Sequence, residues 1–133
     1  KCPIVLPSGP NQYEVDYVKF IADGINDEVV NLSGKTTLIS LAALISKASL
    51  FIGVDSVASH IAAAVDTPSI TLFGPSNAVN WRPWSDKAIV ITRTNSEEIC
   101  KDHCNEPGKY KKCLSYISPS RVFNHAEEVY DNL

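Results

Sequence analysis

The sequence predicts an α/β fold in which a parallel β-sheet carries helices on both faces. Apolar runs alternate with segments of helical periodicity along most of the chain, and this alternation is typical of parallel sheets. The clearest unit is LFIGVDSVASHIAAAVDTPSITLFGPS at residues 50–76, where two apolar runs flank an alanine-rich segment. We interpret it as strand, tight turn, helix, turn and strand, which is a βαβ unit.

Five short apolar runs bounded by turn residues predict the β-strands. In order, they are residues 4–6, 29–32, 50–54, 69–73 and 88–92. The breakers Pro7-Ser8-Gly9-Pro10 end the first run, Ser33-Gly34 ends the second and Asp66-Thr67-Pro68 precedes the fourth. Residues 77–86 are interpreted as a polar and aromatic loop, and residues 96–114 as irregular.

Four segments predict helices, each by its own signal. Residues 14–23 have Val15, Val18 and Ala22 on one face, and Gly24 follows their end. Residues 37–47 place leucine and isoleucine at helical spacing, and residues 57–65 are small and apolar. The last helix begins at Ser118, a good N-cap, and Pro119 suits its first turn.

Composition narrows the class of protein. The chain has 133 residues, 44% of them apolar and 20% charged, which is enough for one domain with a core. Its formal net charge of −3 argues against binding nucleic acid through bulk charge. No apolar run approaches the roughly 18 residues of a membrane span, and the N-terminus lacks the pattern of a signal peptide.

The chain contains no methionine and opens almost at once on a predicted strand. We therefore expect residues 1–133 to be one domain, or part of one, from a longer protein. The alternative is a mature chain whose initiator methionine has been removed.

The strongest candidate site is the turn Asp55-Ser56, between the third strand and the alanine-rich helix. Free N–H groups in the first turn of a helix bind phosphate oxygens, and the Ser56 hydroxyl could donate as well. Asp55 would repel phosphate, so it is expected to accept hydrogen bonds from sugar hydroxyls or to cap the helix. His60, one turn further on, could contact phosphate or sugar, or hold the loop by hydrogen bonding.

Two other loops follow strands and could line the same crevice. The segment Ser33-Gly34-Lys35-Thr36-Thr37 resembles a P-loop ending, but Val29 stands where that motif needs glycine, so we reject it. Lys35 and Thr36 could line a nucleoside pocket, or Thr36 or Ser33 could simply cap a helix. Gly74 and Ser76 end the next strand, where glycine permits close backbone approach and serine supplies a hydroxyl.

Two further clusters allow several interpretations. A zinc site is conceivable at Cys100, His103, Cys104 and Cys113, but its spacing is not standard, and reduced thiols or a disulfide are the alternatives. Trp81 and Trp84 could stack on a base or line an acceptor groove, although pinning a long loop is the more common role of such aromatic residues.

These motifs resemble those of a known family. The stretches LSGKTTL, LISKASLFIGVDSVASHIAAA and TPSITLFGPS, with the tail CKDHC…KKCLSYISPSRV, are similar to the C-terminal half of glycosyltransferase family 9, the bacterial heptosyltransferases. The resemblance implies a GT-B enzyme with two Rossmann-like domains, of which residues 1–133 form the nucleotide-sugar-binding C-terminal domain. The expected activity is transfer of heptose or a related sugar from ADP-sugar to a lipopolysaccharide core acceptor.

The resemblance also implies roles for individual residues. Asp55 would contact the donor sugar, Ser56 and the adjacent amides would hold the pyrophosphate, and residues 34–36 would lie near the adenine. Asp16, with Glu14 as the alternative, would hold the ribose. The catalytic base and the acceptor site are expected in an N-terminal domain outside this chain, and no cofactor or metal is expected.

One departure from the family pattern concerns Val57. The family usually has glycine immediately after Asp-Ser, and a β-branched residue resists positive φ there. Either Val57 adopts negative φ or donor binding is weakened.

A second departure is that the strand and helix which normally open the family's C-terminal domain are absent before Ile4. Part of the donor site could therefore be missing from this chain.

Three rival functions stay open at this point. They are a non-catalytic nucleotide-binding module, another GT-B enzyme such as a sugar-nucleotide epimerase, and a zinc-stabilised interaction domain. The resemblance implies a cytoplasmic protein, with at most peripheral contact with the inner membrane of a Gram-negative bacterium.

Overall fold

The computed structural model describes residues 3–93 and 112–132, with the side chains of 3–93 and 114–132. The chain divides into two compact units, residues 1–43 and 44–133. Each unit contains its own parallel β-sheet, so the α/β class with parallel strands and packed helices is confirmed. Within the described residues, no helix combines the length and apolar character needed to cross a membrane.

The first unit is built on two parallel strands, β1 (Ile4–Ser8) and β2 (Val29–Ser33), which pair in register from Ile4↔Val29 to Ser8↔Ser33. Helix α1 (Gln12–Asp23) connects them and packs on both. Strand β1 is two residues longer than predicted and includes Pro7. Proline is tolerated there because β1 pairs with one strand among those that the structure describes, so the missing N–H need not donate.

Helix α2 (Leu38–Ile45) crosses from the first unit to the second. It begins with reciprocal bonds between Thr37 and Ser40. The Thr37 N–H donates to Ser40 Oγ at 2.8 Å, and the Ser40 N–H donates to Thr37 Oγ1 at 3.2 Å. This arrangement satisfies N–H groups that have no partner inside the helix. Its last residue, Ile45, is buried.

The second unit contains a three-stranded parallel sheet in the order β3 (Phe51–Val54), β4 (Ser69–Leu72) and β5 (Ala88–Ile91). Helix α3 (Val57–Ala64) connects β3 to β4 and packs on both strands. The short helix α4 (Ala78–Trp81) precedes β5. The short helix α5 (Lys112–Ser115) comes before helix α6 (Pro119–Asp131).

The core of the second unit lies on one face of this sheet. Ile70 and Ile91 are fully buried and cluster with Ile117, and Val122 and Ala126 of α6 pack against them. The N-terminus of α6 is capped as predicted, because the Ser118 side chain accepts from the Arg121 N–H at 3.3 Å. Two other large apolar residues of this helix, Phe123 and Tyr130, are exposed.

The opposite face of β4 carries small hydroxylated residues. Side chains alternate along a strand, so Ser69 and Thr71 point away from the Ile70 side. Both are fully buried, as are Ser59 and Ala62 of α3. Because α3 packs on β3 and β4, these small residues allow the helix to approach the sheet closely. Helices therefore cover both faces of this sheet.

The structure departs from the predicted elements at several places. The helices α4 and α5 lie where the sequence indicated a loop and an irregular segment. Helix α1 begins two residues earlier than predicted because Asn11 caps it by accepting from the Tyr13 N–H. The strands β2 and β3 belong to different sheets, one in each unit.

Two buried threonines of the second unit differ in hydrogen bonding. Thr67 Oγ1 donates to the Ile45 carbonyl at 2.8 Å, whereas Thr71 Oγ1 has no partner in the described part of the chain. We expect Thr67→Val to lower the free energy of unfolding by about 0.5–1.5 kcal/mol, because a buried hydrogen bond is lost while the Ile45 carbonyl still accepts from the Ala48 N–H at 3.0 Å. Thr71→Val removes an unpaired hydroxyl, so it should leave stability unchanged or raise it by roughly 1 kcal/mol.

Urea denaturation of the two variants beside the unaltered chain measures both effects. Equal losses of stability in the two variants would contradict the assignment of these hydroxyls.

Candidate functional site

The candidate site of the second unit lies where β3 and β4 end. The β3–β4 hydrogen bonding continues one residue past the strand, because the Asp55 N–H donates to the Leu72 carbonyl at 3.1 Å. One strand further, the Phe73 N–H donates to the Ile91 carbonyl at 2.9 Å. The carboxyl ends of the three strands therefore form one edge, the place where parallel α/β sheets bind ligands.

Ser56 is the N-cap of α3, with extended backbone at φ −158° and ψ 173°, and its side chain makes no capping hydrogen bond. The Ser59 N–H and hydroxyl both donate to the Ser56 carbonyl, at 3.1 and 2.7 Å. The amides of Val57 and Ala58 open the helix and have no acceptor among the described residues. The alternative role for Asp55, as the cap of this helix, is therefore wrong.

Val57 is accommodated without backbone strain. It is the first residue of α3, and among the described non-glycine residues positive φ occurs at Asp66 alone. Its side chain is 58% exposed, so the additional bulk relative to glycine displaces no packed neighbour. Of the two outcomes considered for this departure from the family pattern, the structure shows the one with negative φ.

The polar side chains around this helix start are not engaged elsewhere. Asp55 is half-buried, and its carboxylate accepts no hydrogen bond from the residues that the structure describes. His60 is exposed in the second turn of α3. Its ring makes no hydrogen bond within the described ranges, so it does not hold the loop in the way considered from the sequence. Both side chains are available to a ligand.

The loop after β4 borders the same edge. Phe73 is 1% exposed and fixes the start of this loop, and Gly74 and Ser76 after it are half-buried. Since β3 and β4 are paired neighbours, this loop and the Asp55-Ser56 turn leave adjacent strands at the same end. The pairing of β3 with β4 therefore agrees with the prediction that these two loops border the same crevice.

In the first unit, the loops after β1 and β2 are held together. The Gly34 N–H donates to the Ser8 carbonyl at 3.2 Å. Gly34 has φ +69°, and a Cβ there would lie 3.1 Å from Val15 Cγ2, so glycine is required by conformation and by space. Lys35 is exposed, and its Nζ donates to the Asn31 carbonyl at 3.3 Å.

The capping roles considered for Ser33 and Thr36 are wrong. Thr37 makes the reciprocal bonds with Ser40 at the start of α2, and Ser33 is buried with its hydroxyl donating to Asn31 Oδ1 at 2.6 Å. Thr36 is half-buried beside Lys35. Both Thr36 and Lys35 stay predictions for nucleoside contact. Their loop follows β2, which pairs with β1 among the described strands of the first unit.

The two acidic candidates on α1 have different surroundings. Glu14 turns back to the loop after β1, where its Oε2 accepts from the Gly9 N–H at 2.9 Å. Asp16 is exposed, and its Oδ1 accepts from Gln12 Nε2 at 2.8 Å. Glu14 therefore lies at the carboxyl end of β1, whereas Asp16 does not contact this loop. The sequence left both residues as candidates for the ribose contact. The hydrogen bond from the Gly9 N–H to Glu14 shows that their surroundings differ.

The remaining candidates lie at the limits of the described residues. Cys100, His103 and Cys104 fall outside them, and Cys113 belongs to α5 without a described side chain. No group of three or more potential metal ligands occurs among the residues that are described. Trp81 is 61% exposed and Trp84 is 94% exposed, so the expectation that they pin their loop is wrong.

A parallel α/β sheet with an uncapped helix start at its carboxyl edge defines a class of nucleotide- and phosphate-binding proteins. The sequence matches the profile of glycosyltransferase family 9 (heptosyltransferase) over residues 1–111. The chain therefore belongs to this family, and the resemblance noted in the sequence is confirmed.

Individual relatives agree with this assignment. Lipopolysaccharide heptosyltransferase 3 of Escherichia coli K12 is 41% identical over 95% of this chain and 36% of its own length. Lipooligosaccharide heptosyltransferase 2 of Haemophilus influenzae is 33% identical over 82% of this chain and 32% of its own length. The chain thus spans about a third of these two relatives.

Solved structures show the same fold. A glycosyltransferase family 9 protein from Veillonella parvula superposes with a TM-score of 0.81 at 29% identity, over 97% of this chain and 36% of that one. The ADP-heptose lipopolysaccharide heptosyltransferase II of E. coli gives a TM-score of 0.73 at 25% identity, over 96% of this chain and 36% of that one.

Gly34 provides a test of the loop geometry in the first unit. We expect Gly34→Ala to lower the free energy of unfolding by about 1–2 kcal/mol, because alanine is disfavoured at positive φ. Gly24→Ala is the matched control, since Gly24 has φ −88° and a Cβ there would meet its nearest atom at 3.5 Å. The control should be neutral or slightly stabilising. Urea denaturation compares them, and a neutral Gly34→Ala would contradict the loop geometry.

Proposed function

We propose that this chain is the donor-binding part of a glycosyltransferase that transfers heptose, or a related sugar, from an ADP-sugar to a lipopolysaccharide core acceptor. The observation that carries the proposal is the start of α3, where the amides of Val57 and Ala58 have no acceptor among the described residues. The names of the relatives support the choice of substrates, because one is a lipopolysaccharide heptosyltransferase and another an ADP-heptose enzyme.

In this proposal the diphosphate of the donor docks against the start of α3. The Val57 and Ala58 amides and the Ser56 hydroxyl donate to phosphate oxygens, and the helix dipole adds a favourable term on the order of 1 kcal/mol or less. Asp55 stands at the same turn with no described partner, so its carboxylate is free to accept from sugar hydroxyls.

Three further residues of the second unit are proposed to border the donor. His60 is exposed one turn along α3 and is suited to contact phosphate or sugar. Gly74 and Ser76 lie in the loop after β4, the strand next to β3. They offer backbone and a hydroxyl on the sheet edge that carries Asp55.

For the nucleoside, Lys35 and Thr36 remain the proposed contacts of the adenine. Glu14 is the better ribose candidate than Asp16, because Glu14 faces the loop at the carboxyl end of β1 and its second oxygen can accept from a hydroxyl. Asp16 is engaged with Gln12 along the exposed side of α1. A loss of ADP affinity in Glu14→Gln, with Asp16→Asn unchanged, would support this preference.

The chemical contribution of the site is electrostatic. As the acceptor oxygen attacks the anomeric carbon and the bond to the diphosphate breaks, negative charge develops on the leaving phosphate. Amides already fixed at the helix start stabilise that charge without rearranging. We place the general base and the acceptor-binding groups in the part of the relatives that this chain does not span, and we expect inversion at the anomeric carbon.

The reaction is proposed to take place in the cytoplasm of a Gram-negative bacterium, at the inner membrane. A nucleotide sugar is a soluble donor, whereas a lipopolysaccharide acceptor is anchored by its lipid. An enzyme that joins the two is expected to work at the membrane surface, with peripheral contact only.

Val57→Pro tests the amide donors of the diphosphate site. Proline is favoured at the first position of a helix, and the extended backbone of Ser56 suits a residue before proline. The substitution therefore removes one N–H without disrupting α3. We expect it to weaken ADP binding by about tenfold or more, because a hydrogen bond to a charged group is lost.

The matched control for this test is Val57→Ala, which keeps the amide and removes the side chain. Its ADP affinity in calorimetric titration should stay within about twofold of the unaltered chain. If Val57→Pro binds ADP with the same affinity as the unaltered chain, the diphosphate does not bind at the start of α3. No binding of ADP to any of the three proteins would favour a function without a nucleotide donor.

A full-length transferase that carries this chain allows the role of Asp55 to be tested. We expect Asp55→Ala to lower kcat/KM for the ADP-sugar by about a hundredfold with an unchanged thermal midpoint, because the variant loses a sugar contact, while the Asp55 carboxylate bonds to no described residue of the fold. Asp86→Ala, at an exposed turn before β5, is the control and should retain activity. Full activity in Asp55→Ala would show that the sugar lies elsewhere.

A further inference from the structure

The two tryptophans of this chain lie close together in sequence and are exposed. Trp81 ends α4 at 61% exposure, and Trp84 follows at 94% exposure. The chain contains no other tryptophan. Val79, on the same short helix, is 83% exposed. We call residues 79–84 the tryptophan segment.

The tryptophan segment is held in place without using its aromatic rings. On its N-terminal side, Asn77 caps α4, with Oδ1 accepting from the amides of Val79 and Asn80 at 2.8 and 3.3 Å. Near its C-terminal end, Pro83 is among the fully buried side chains. The loop is thus anchored by Asn77 and Pro83, and the rings on either side of Pro83 extend into solvent. A fixed backbone that displays large apolar side chains marks an interaction surface.

The charge of the segment differs from that of the whole chain. Residues 77–84 contain one cation, the exposed Arg82, and no carboxylate, whereas the full chain has a formal net charge of −3. Within the described residues the Arg82 guanidinium has no hydrogen-bonding partner. Tryptophan prefers the interface between water and lipid, and arginine meets the phosphate groups of anionic lipids there.

We infer that the tryptophan segment docks this protein on an anionic lipid bilayer, with Trp81, Trp84 and Val79 at the level of the headgroups and Arg82 against a lipid phosphate. The inference rests on the proposed function, in which the acceptor is anchored in a membrane. The segment begins three residues after Ser76, so docking would bring the donor loop after β4 near the membrane surface.

A bilayer fits these residues better than a stacked base. A base or sugar is normally gripped by rings that also contact the protein, whereas Trp84 leaves almost its whole side chain in water. Burial in the interfacial layer removes such side chains from water without requiring a preformed pocket.

Intrinsic fluorescence tests the inference directly, because every tryptophan signal of this chain comes from the tryptophan segment. The 133-residue chain is titrated with vesicles of phosphatidylglycerol and phosphatidylcholine, and with vesicles of phosphatidylcholine alone. We expect a blue shift of the emission and co-sedimentation with the anionic vesicles, and binding about fivefold weaker to the neutral ones.

Variants separate the apolar and the charged contributions. The double variant Val79→Ser/Trp84→Ser should bind anionic vesicles about tenfold more weakly. Arg82→Gln should lose about fivefold on anionic vesicles and little on neutral ones. Phe123→Ser is the matched control, because Phe123 is as exposed as Trp81, at 61%, but lies on α6. Its vesicle binding should be unchanged.

Several outcomes would overturn the inference. One is that anionic vesicles neither shift the tryptophan emission nor sediment the protein. Another is that Phe123→Ser loses as much vesicle binding as the double variant. A third is an emission shift without lipid that grows with protein concentration, which would report self-association. A shift produced by ADP alone would assign the rings to the nucleotide. Calorimetric titration of the same proteins with ADP tests the proposed function separately. Membrane docking is wrong if vesicle binding fails while ADP still binds, and the donor site is wrong if ADP binding fails while vesicles still bind.

Discussion

The hydrogen bond from the Asp55 N–H to the Leu72 carbonyl is the interaction on which the candidate site depends. It extends the pairing of β3 with β4 one residue beyond the strand, so the turn into α3 starts from a fixed position. Ser56 stays extended and leaves its side chain out of the cap. The first amides of α3 consequently emerge beside the loop after β4, where an anion can reach them.

The packing beneath this edge serves the same geometry. Ser59 and Ala62 are buried where α3 meets the sheet, and Ser69 and Thr71 are buried on the facing side of β4. Small side chains let the helix lie close to its strands, which fixes the direction of its first turn. The two buried hydroxyls without described partners are a cost of this arrangement. The larger apolar residues lie on the other face, under α6.

Much of the fold could be predicted from the sequence, because the strands and α3 have clear apolar patterns and turn residues. The N-cap residue of α3 could not be predicted, because Asp55 and Ser56 are equally good N-caps. The β3–β4 pairing continues through the Asp55 N–H, so the helix begins after Ser56. Helix α4 is too short for periodicity to reveal it. The different surroundings of Glu14 and Asp16 could not be predicted either, because the bond from the Gly9 N–H to Glu14 depends on how the loop after β1 folds back. The exposure of Trp84 contradicts the usual tendency of aromatic residues to be buried.

We propose that a diphosphate binds the first amides of α3. Titration of the ¹⁵N-labelled chain with ADP, followed amide by amide in NMR spectra, tests it most directly, because the amides themselves report the contact. We expect the signals of Val57 and Ala58 to move most and to saturate together with those of the Gly74–Ser76 loop. If ADP saturates the chain while these signals stay in place, the diphosphate binds elsewhere and the first amides of α3 are not its donors.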